Sequence, residues 1–284
     1  MLHLLLGTVA LRPYVFVFLA AYLFISVVNF GLLTTVLFTI LTYGVALACE
    51  WSSVHNGFPF GLYHYDSATV GRELWVAGVP FMDSLSFTFL SFAAYSMALL
   101  VSAPILWRRG EPRLMDTRAL RRSPRVWLMA ALLTVMVDMV VDPLSVVGRR
   151  WFLGHLFWYD PPGPHFGVPI SNYLGWFFVA AIAVAIFQRL DAWCSGWPGA
   201  KGRPLGVWPG LKWRWLLGPG LYVGIVSFAL VMLFRIGAAT IAWAGIFIYL
   251  PFIAMALNGW TRPEARAGAE DIQRHLIDFP YDQA

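Results

Sequence analysis

The chain has 284 residues, of which 59% are hydrophobic and 12% charged, against about 25% charged in an average soluble domain. One soluble core cannot hide that much apolar surface, so the sequence reads as an all-α polytopic membrane bundle. The net charge of +5 does not point to nucleic acid, because the basic residues gather in particular loops, as membrane orientation requires.

A membrane span takes about 20 residues. In chain order, apolar runs of that kind lie at 13–29, 31–50, 80–106, 125–147, 169–188, 215–234 and 236–257. They predict seven transmembrane helices in one domain (1–257), followed by a polar tail (258–284). No basic region precedes the first apolar run, so no cleavable signal peptide is expected. The least marked boundaries are Arg12-Pro13 and Arg235-Ile236-Gly237.

The loops orient the bundle. Segment 107–125 holds seven Arg against two acids, and 189–214 holds five Lys or Arg against one. Segment 50–80 holds one Arg against three acids, and 148–168 two Arg against one. The positive-inside bias puts the first two in the cytoplasm. The expected location is the inner (cytoplasmic) membrane, with the N-terminus outside and the C-terminus cytoplasmic. Cys49 and Cys194 then lie on opposite faces, unpaired, as small apolar fillers.

A short repeat links the outer loops. Gly78–Asp83 (GVPFMD) and Gly167–Asn172 (GVPISN) share G-V-P-x-x-[DN], and each opens a predicted helix. Proline suits a first helical turn and a side-chain oxygen suits the positive N-terminal end. Two like-oriented helix hairpins related by an axis along the membrane normal would give this pattern.

Of the acids, Asp83, Asp138 and Asp142 fall within predicted spans, with Glu50 at a span's edge. An Asp at a helix centre costs about 2.5–3.5 kcal/mol on insertion scales, so these residues need a compensating role. Asp138 and Asp142 share a helix face, about 20 and 26 Å along from Arg125. Pro143 is expected to kink or fray the helix there. Two carboxyls so close in an apolar setting are expected to retain a proton between them, and a protonated carboxyl there is a donor awaiting a weak base. The alternatives are an interhelical hydrogen bond, an ion pair with Arg149 or Arg150, or half of an Asp-rich metal site whose second acidic cluster is missing. His55, His64, His155 and His165 sit in the outer loops, but their spacings of nine and ten lack the short-spaced boxes of a di-iron site. No metal is expected.

Aromatics crowd the same loops: Trp51, Phe58, Phe60, Tyr63, Tyr65 and Trp75 in one, and Trp151, Phe157, Trp158, Tyr159, Phe166 and Trp176 in or just after the other. Beyond an interfacial belt, such faces can hold a polyene end and stabilise a carbocation.

Glu50–Asp66 (EWSSVHNGFPFGLYHYD), Leu74–Phe87 (LWVAGVPFMDSLSF), Asp138–Pro143 (DMVVDP) and His165–Phe177 (HFGVPISNYLGWF) resemble the integral-membrane carotenoid biosynthesis protein family. That family includes the carotenoid 1,2-hydratases of the bacterioruberin and γ-carotene/myxol routes. The resemblance covers about residues 30–257. It implies a cofactor-free hydro-lyase adding water across the terminal C=C of an acyclic carotenoid. The other expected partners are membrane lipids and further carotenoid biosynthesis enzymes, with no nucleic acid. On this reading Asp138 or Asp142 is the acid, with Asp138, the deeper, favoured as donor. Glu50 or Asp83 holds the water. His55, Asn56, Tyr63, Tyr65, His165, Asn172 and Trp176 bind and orient the substrate. A lycopene cyclase would use the same acid and cation, and a proton-coupled transporter would use the acids as a relay. A retinal-binding photoreceptor is excluded, because the only lysines, Lys201 and Lys212, fall in a loop.

Overall fold

The computed structural model describes residues 1–108, 111–147, 156–195, 213–261 and 265–279. Arg149, Arg150, Trp151, His155, Lys201 and Lys212 lie outside the described residues. The helices are α1 (Leu2–Leu11), α2 (Pro13–Phe30), α3 (Leu32–Asn56), α4 (Phe81–Ser102), α5 (Arg118–Arg121), α6 (Pro124–Val146), α7 (Ile170–Ser195), α8 (Arg214–Arg235), α9 (Ala239–Thr261) and α10 (Ala269–Asp278). The strands are β1 (Tyr63–Tyr65), β2 (Trp75–Val76), β3 (Val79–Pro80), β4 (Ile105–Arg108), β5 (Glu111–Leu114) and β6 (Phe157–Tyr159). Among the described residues, seven helices are long and apolar enough to cross a membrane: α2, α3, α4, α6, α7, α8 and α9. The fold is the expected all-α polytopic bundle.

Local chemistry sets the helix ends. Pro13 and Pro124 open α2 and α6 at the first turn, where a missing N–H costs nothing. Ser123 caps α6 by accepting from the Val126 amide. Gly57 ends α3 in the left-handed conformation (φ 81°), its N–H bonding the Ser53 carbonyl. Helix α3 therefore runs past Glu50 to Asn56, and Glu50 is buried inside the helix rather than at its edge. The expected fraying at Pro143 does not occur, since α6 continues through it to Val146. So close to the C-terminus proline removes a single intrahelical bond, and Asp142 beside it is held by side chains from two other elements.

At the core, α3, α4, α6 and α7 form a closed ring: α3 packs on α4 and α7, and α6 packs on the same two helices. Helix α2 lies against α3 and α4, α8 against α4 and α6, and α9 against α6 and α8. Such a ring is compatible with an approximate two-fold axis relating α3–α4 to α6–α7, and two backbone turns match across it. Ala77-Gly78 (φ 50° and 82°) and Phe166-Gly167 (φ 53° and 95°) turn through the same left-handed pair before a Val-Pro that opens a helix. Ala77 and Phe166 are the non-glycine residues with positive φ among those described.

The two loops at the acid-bearing end are stitched together, a pairing that no local sequence pattern encodes. Strands β1 and β6 form an antiparallel ribbon in which Tyr63 faces Tyr159 and Tyr65 faces Phe157. Alternation along each strand sends these four rings to one face and His64 and Trp158 to the other. The short α1, too brief to span, packs on the first loop. Its Thr8 hydroxyl accepts the Leu74 amide at 2.8 Å, and Arg12 pairs with Glu73 at 3.4 Å, the side chains 2% and 0% exposed.

The tail docks at the opposite, basic end. The Ala267 amide donates to the Ile105 carbonyl, and the Arg118 amide to Asp278 Oδ2 at 2.8 Å. His275 is buried with Nδ1 on the Asp116 carbonyl at 2.6 Å.

Candidate active site

Four helices and the ribbon converge on a cavity of about 30 Å³, room for one or a few waters. Its wall carries three carboxyls from three helices: Glu50 (α3), Asp83 (α4) and Asp142 (α6). Asn172 of α7 completes the polar wall, and Phe60, Tyr63, Phe87, Phe157, Tyr159 and Trp176 supply the apolar surface.

Each acid has its own donor. Ser84, one residue beyond Asp83, donates to Glu50 Oε2. Tyr65 donates to Asp83 Oδ2 at 2.7 Å, and its hydroxyl lies 3.2 Å from that of Tyr63. Tyr159 donates to Asp142 Oδ2 at 3.1 Å. The Asn172 amide nitrogen donates to Asp138 Oδ2 at 2.7 Å and to Asp142 Oδ2 at 2.8 Å, using both of its hydrogens. Asp138 Oδ1 is buried with no hydrogen-bond partner among the described residues. The pair sits one helical turn apart on a single face, as the i, i+4 spacing predicted. Asp142 reaches the cavity, whereas Asp138 lies behind it and is not among the lining residues.

The loop tyrosines are built to stay protonated. Burial, then the Asp83 carboxyl, pushes the Tyr65 phenol up; burial, then Asp142, does the same to Tyr159; and burial, then Glu50, to Tyr63. All three remain neutral at neutral pH, so Tyr65 and Tyr159 serve as fixed donors toward the acids.

The aromatic rings enclose the carboxyls from two sides. Above, on the inner face of the ribbon, Tyr63 lies 5.6 Å from both Phe157 and Tyr159 by ring centroids. Below, Phe87 and Trp176 stack at 4.1 Å with an interplanar angle of 17°. These two residues occupy the same place in the repeat, nine beyond Gly78 and nine beyond Gly167. Asp83 and Asn172, five beyond the same glycines, are likewise equivalent. Counterparts meeting face to face are what a two-fold axis through the cavity floor produces.

Among the sequence-predicted residues, Glu50, Asp83, Asp142, Tyr63, Asn172 and Trp176 come together at the wall, with Tyr65 and Asp138 directly behind. His55 and Asn56 do not join them. His55 is exposed, with Nδ1 on the Trp51 carbonyl, and Asn56 accepts from Ser52 and the Phe58 amide. His165 is held by the Tyr173 hydroxyl outside the wall, and burial lowers its pKa. Ser84 and Phe87 went unnoticed in sequence. Aligning the two repeats would have flagged Phe87 as the counterpart of Trp176. Among the described residues, no group of three or more His, Cys, Asp or Glu could hold a metal ion.

A family model described as carotenoid biosynthesis protein matches residues 1–251. The chain belongs to the carotenoid biosynthesis protein family. Over 157 residues it is 32% identical to a protein of Haloarcula japonica named bisanhydrobacterioruberin hydratase. That match covers 55% of this chain and 44% of the relative, so the chain spans less than half the length of the curated relative it matches. No solved structure matches it.

Proposed function

We propose that this member of the family is a carotenoid-modifying enzyme that adds water to the terminal C=C of an acyclic carotenoid end group. The observation that carries the reading is the water-sized cavity, walled by three carboxyls and bordered by aromatic rings.

Asp142 at the wall transfers a proton to C2 of the terminal double bond. The C2–H bond forms from the π pair, leaving a tertiary cation at C1. The faces of Tyr63, Phe157 and Tyr159 above and of Trp176 below stabilise that cation. A water held between Glu50 and Asp83 attacks C1, and one of these carboxylates takes the proton that the water releases. The net change is addition of H₂O. Return of that proton from the Glu50 or Asp83 carboxyl to Asp142 through the cavity water resets the site, while Asn172 holds Asp138 and Asp142 in place by donating to both. The order of the two Asp residues is thus the reverse of the one expected from depth, because the shallower one meets the cavity. The water-sized space beside three carboxyls favours hydration over ring closure, which needs no water.

The Arg-rich loops support an orientation with the acid-bearing end outside and the C-terminus cytoplasmic, in the inner membrane. The functional unit on this reading is the bundle 1–257, with 258–284 a docked polar tail.

The test is substitution at the pair. Asp142→Asn is expected to abolish hydration while the protein inserts normally, and Asp138→Asn to slow it severely. Full activity in both variants would sink the acid assignment.

A further inference from the structure

A cavity of about 30 Å³ takes water but not an isoprenoid end group, which is several times larger than one water. On the hydratase reading, the wall around this space has to open wider to admit such a group. Phe60 lines the wall from a short segment that bridges α3 and α7.

That segment is built differently from its surroundings. It lies between Gly57 (φ 81°) and Gly61 (φ 101°), two left-handed positions that side chains avoid. Phe60 ties it to both helices, and the Phe58 amide adds a bond to Asn56 Oδ1 of α3 at 3.0 Å. The Phe60 amide donates to Ser53 Oγ of α3 at 2.9 Å, and its carbonyl accepts from Ser171 Oγ of α7 at 3.2 Å. The segment presses against α7 at Gly175, where an added Cβ would stand 2.5 Å from the Phe60 ring and 2.8 Å from the Pro59 carbonyl oxygen. Glycine there permits the close approach. On the cavity side Phe60 lies near Phe87 and Trp176, 5.8 and 6.4 Å by ring centroids. On the lipid side Phe58 meets Phe178 at 5.8 Å. Ile170, Leu174 and Phe178, spaced four apart along α7, continue an exposed apolar stripe away from the site. Two of the other three ring sides bear covering helices: α2 lies on α3 and α4, and α8 on α4 and α6.

We propose that this α3–α7 groove binds the polyene chain of the substrate, a linear isoprenoid hydrocarbon, with the Phe58–Phe60 segment displaced to admit its end. The proposal rests on the hydratase reading for the identity of the ligand. Adjacency selects the occupant: Phe58 meets the exposed stripe at Phe178, and two residues on Phe60 lines the cavity with the carboxyls. Lipid chains lack a reactive end for that cavity.

The test locks the segment. Phe58→Cys and Phe178→Cys are combined with Cys49→Ser and Cys194→Ser, joined by a reducible bis-methanethiosulfonate reagent, and placed in liposomes containing lycopene. Both lycopene retained per protein and hydrated product are measured. Cross-linking is expected to lower both by about tenfold or more, and reductant to restore them, as a blocked lid would. Equal retention before and after reduction overturns the track. Lycopene that is retained reversibly but never hydrated refutes the hydratase reading and leaves the track standing. Should the cysteine protein fail to fold, Ser53→Ala with Ser171→Ala releases both ties on Phe60. Lycopene uptake should then rise several-fold, and unchanged uptake overturns the proposal.

Discussion

Asn172→Leu is the perturbation that most directly probes how the acids are held. Leucine nearly preserves the volume but removes both donors, the bonds of 2.7 and 2.8 Å to Asp138 and Asp142. With one carboxyl ionised and one neutral, bonds of about 1.5–3 and 0.5–1.5 kcal/mol are lost, together roughly 3 kcal/mol. If both act in the transition state, kcat/KM falls roughly 150-fold, at 1.36 kcal/mol per decade. Tyr159→Phe removes only the 3.1 Å bond to Asp142, and about 1.5 kcal/mol predicts a drop of roughly tenfold. The assay is conversion of lycopene by purified protein in liposomes, normalised to folded protein by its thermal unfolding in detergent. A graded loss, large for Asn172→Leu and smaller for Tyr159→Phe, is expected. Turnover of Asn172→Leu within about twofold of the parent corresponds to almost no lost transition-state stabilisation, and would refute the claim that this amide organises the acids.

Other consequences follow from elements outside the cavity. Glu73→Gln removes the buried Arg12–Glu73 ion pair, and thermal unfolding should show a loss of about 3 kcal/mol; an unchanged midpoint would show that the ion pair does not anchor α1. Exposed Ser67→Cys should react with a membrane-impermeant maleimide on intact spheroplasts, and exposed Glu270→Cys only after permeabilisation; the reverse pattern would invert the orientation. Burial lowers the pKa of His165, so below about 6.5 the unfolded chain binds a proton that the folded one resists. Its contribution to stability is present above that pH and lost as pH falls. The unfolding midpoint should drop between pH 7.5 and 5.5 (about one unit either side of the free imidazole), and drop less in His165→Gln. An identical drop would remove His165 as the cause.

The seven spans were legible because crossing a bilayer demands long apolar runs, and these dominate the composition. Their ends were legible where a local signal marks them, as at Pro13 and Pro124. The end of α3 was not, because its last turns are polar, and only Gly57 closes them. Helix α1 was missed because ten residues do not span. The β1–β6 ribbon depends on pairing between segments some ninety residues apart, which no local pattern encodes. The acids were readable through their cost in an apolar helix, while Ser84 and Phe87 carry no such cost and emerge only from the fold. The histidines misled for a related reason. His55 and His165 lie in the right loops, but their rings are engaged locally, by Trp51 and by Tyr173.

The central claim is that this cavity delivers a proton and then a water to a carotenoid terminus. Its most direct measurement is the product formed from lycopene by the purified protein in water enriched in oxygen-18 and deuterium. The account predicts a product heavier by one water, with the heavy oxygen at C1 and one deuterium at C2. A product with no added oxygen, whether unchanged lycopene or a cyclised isomer, would contradict it.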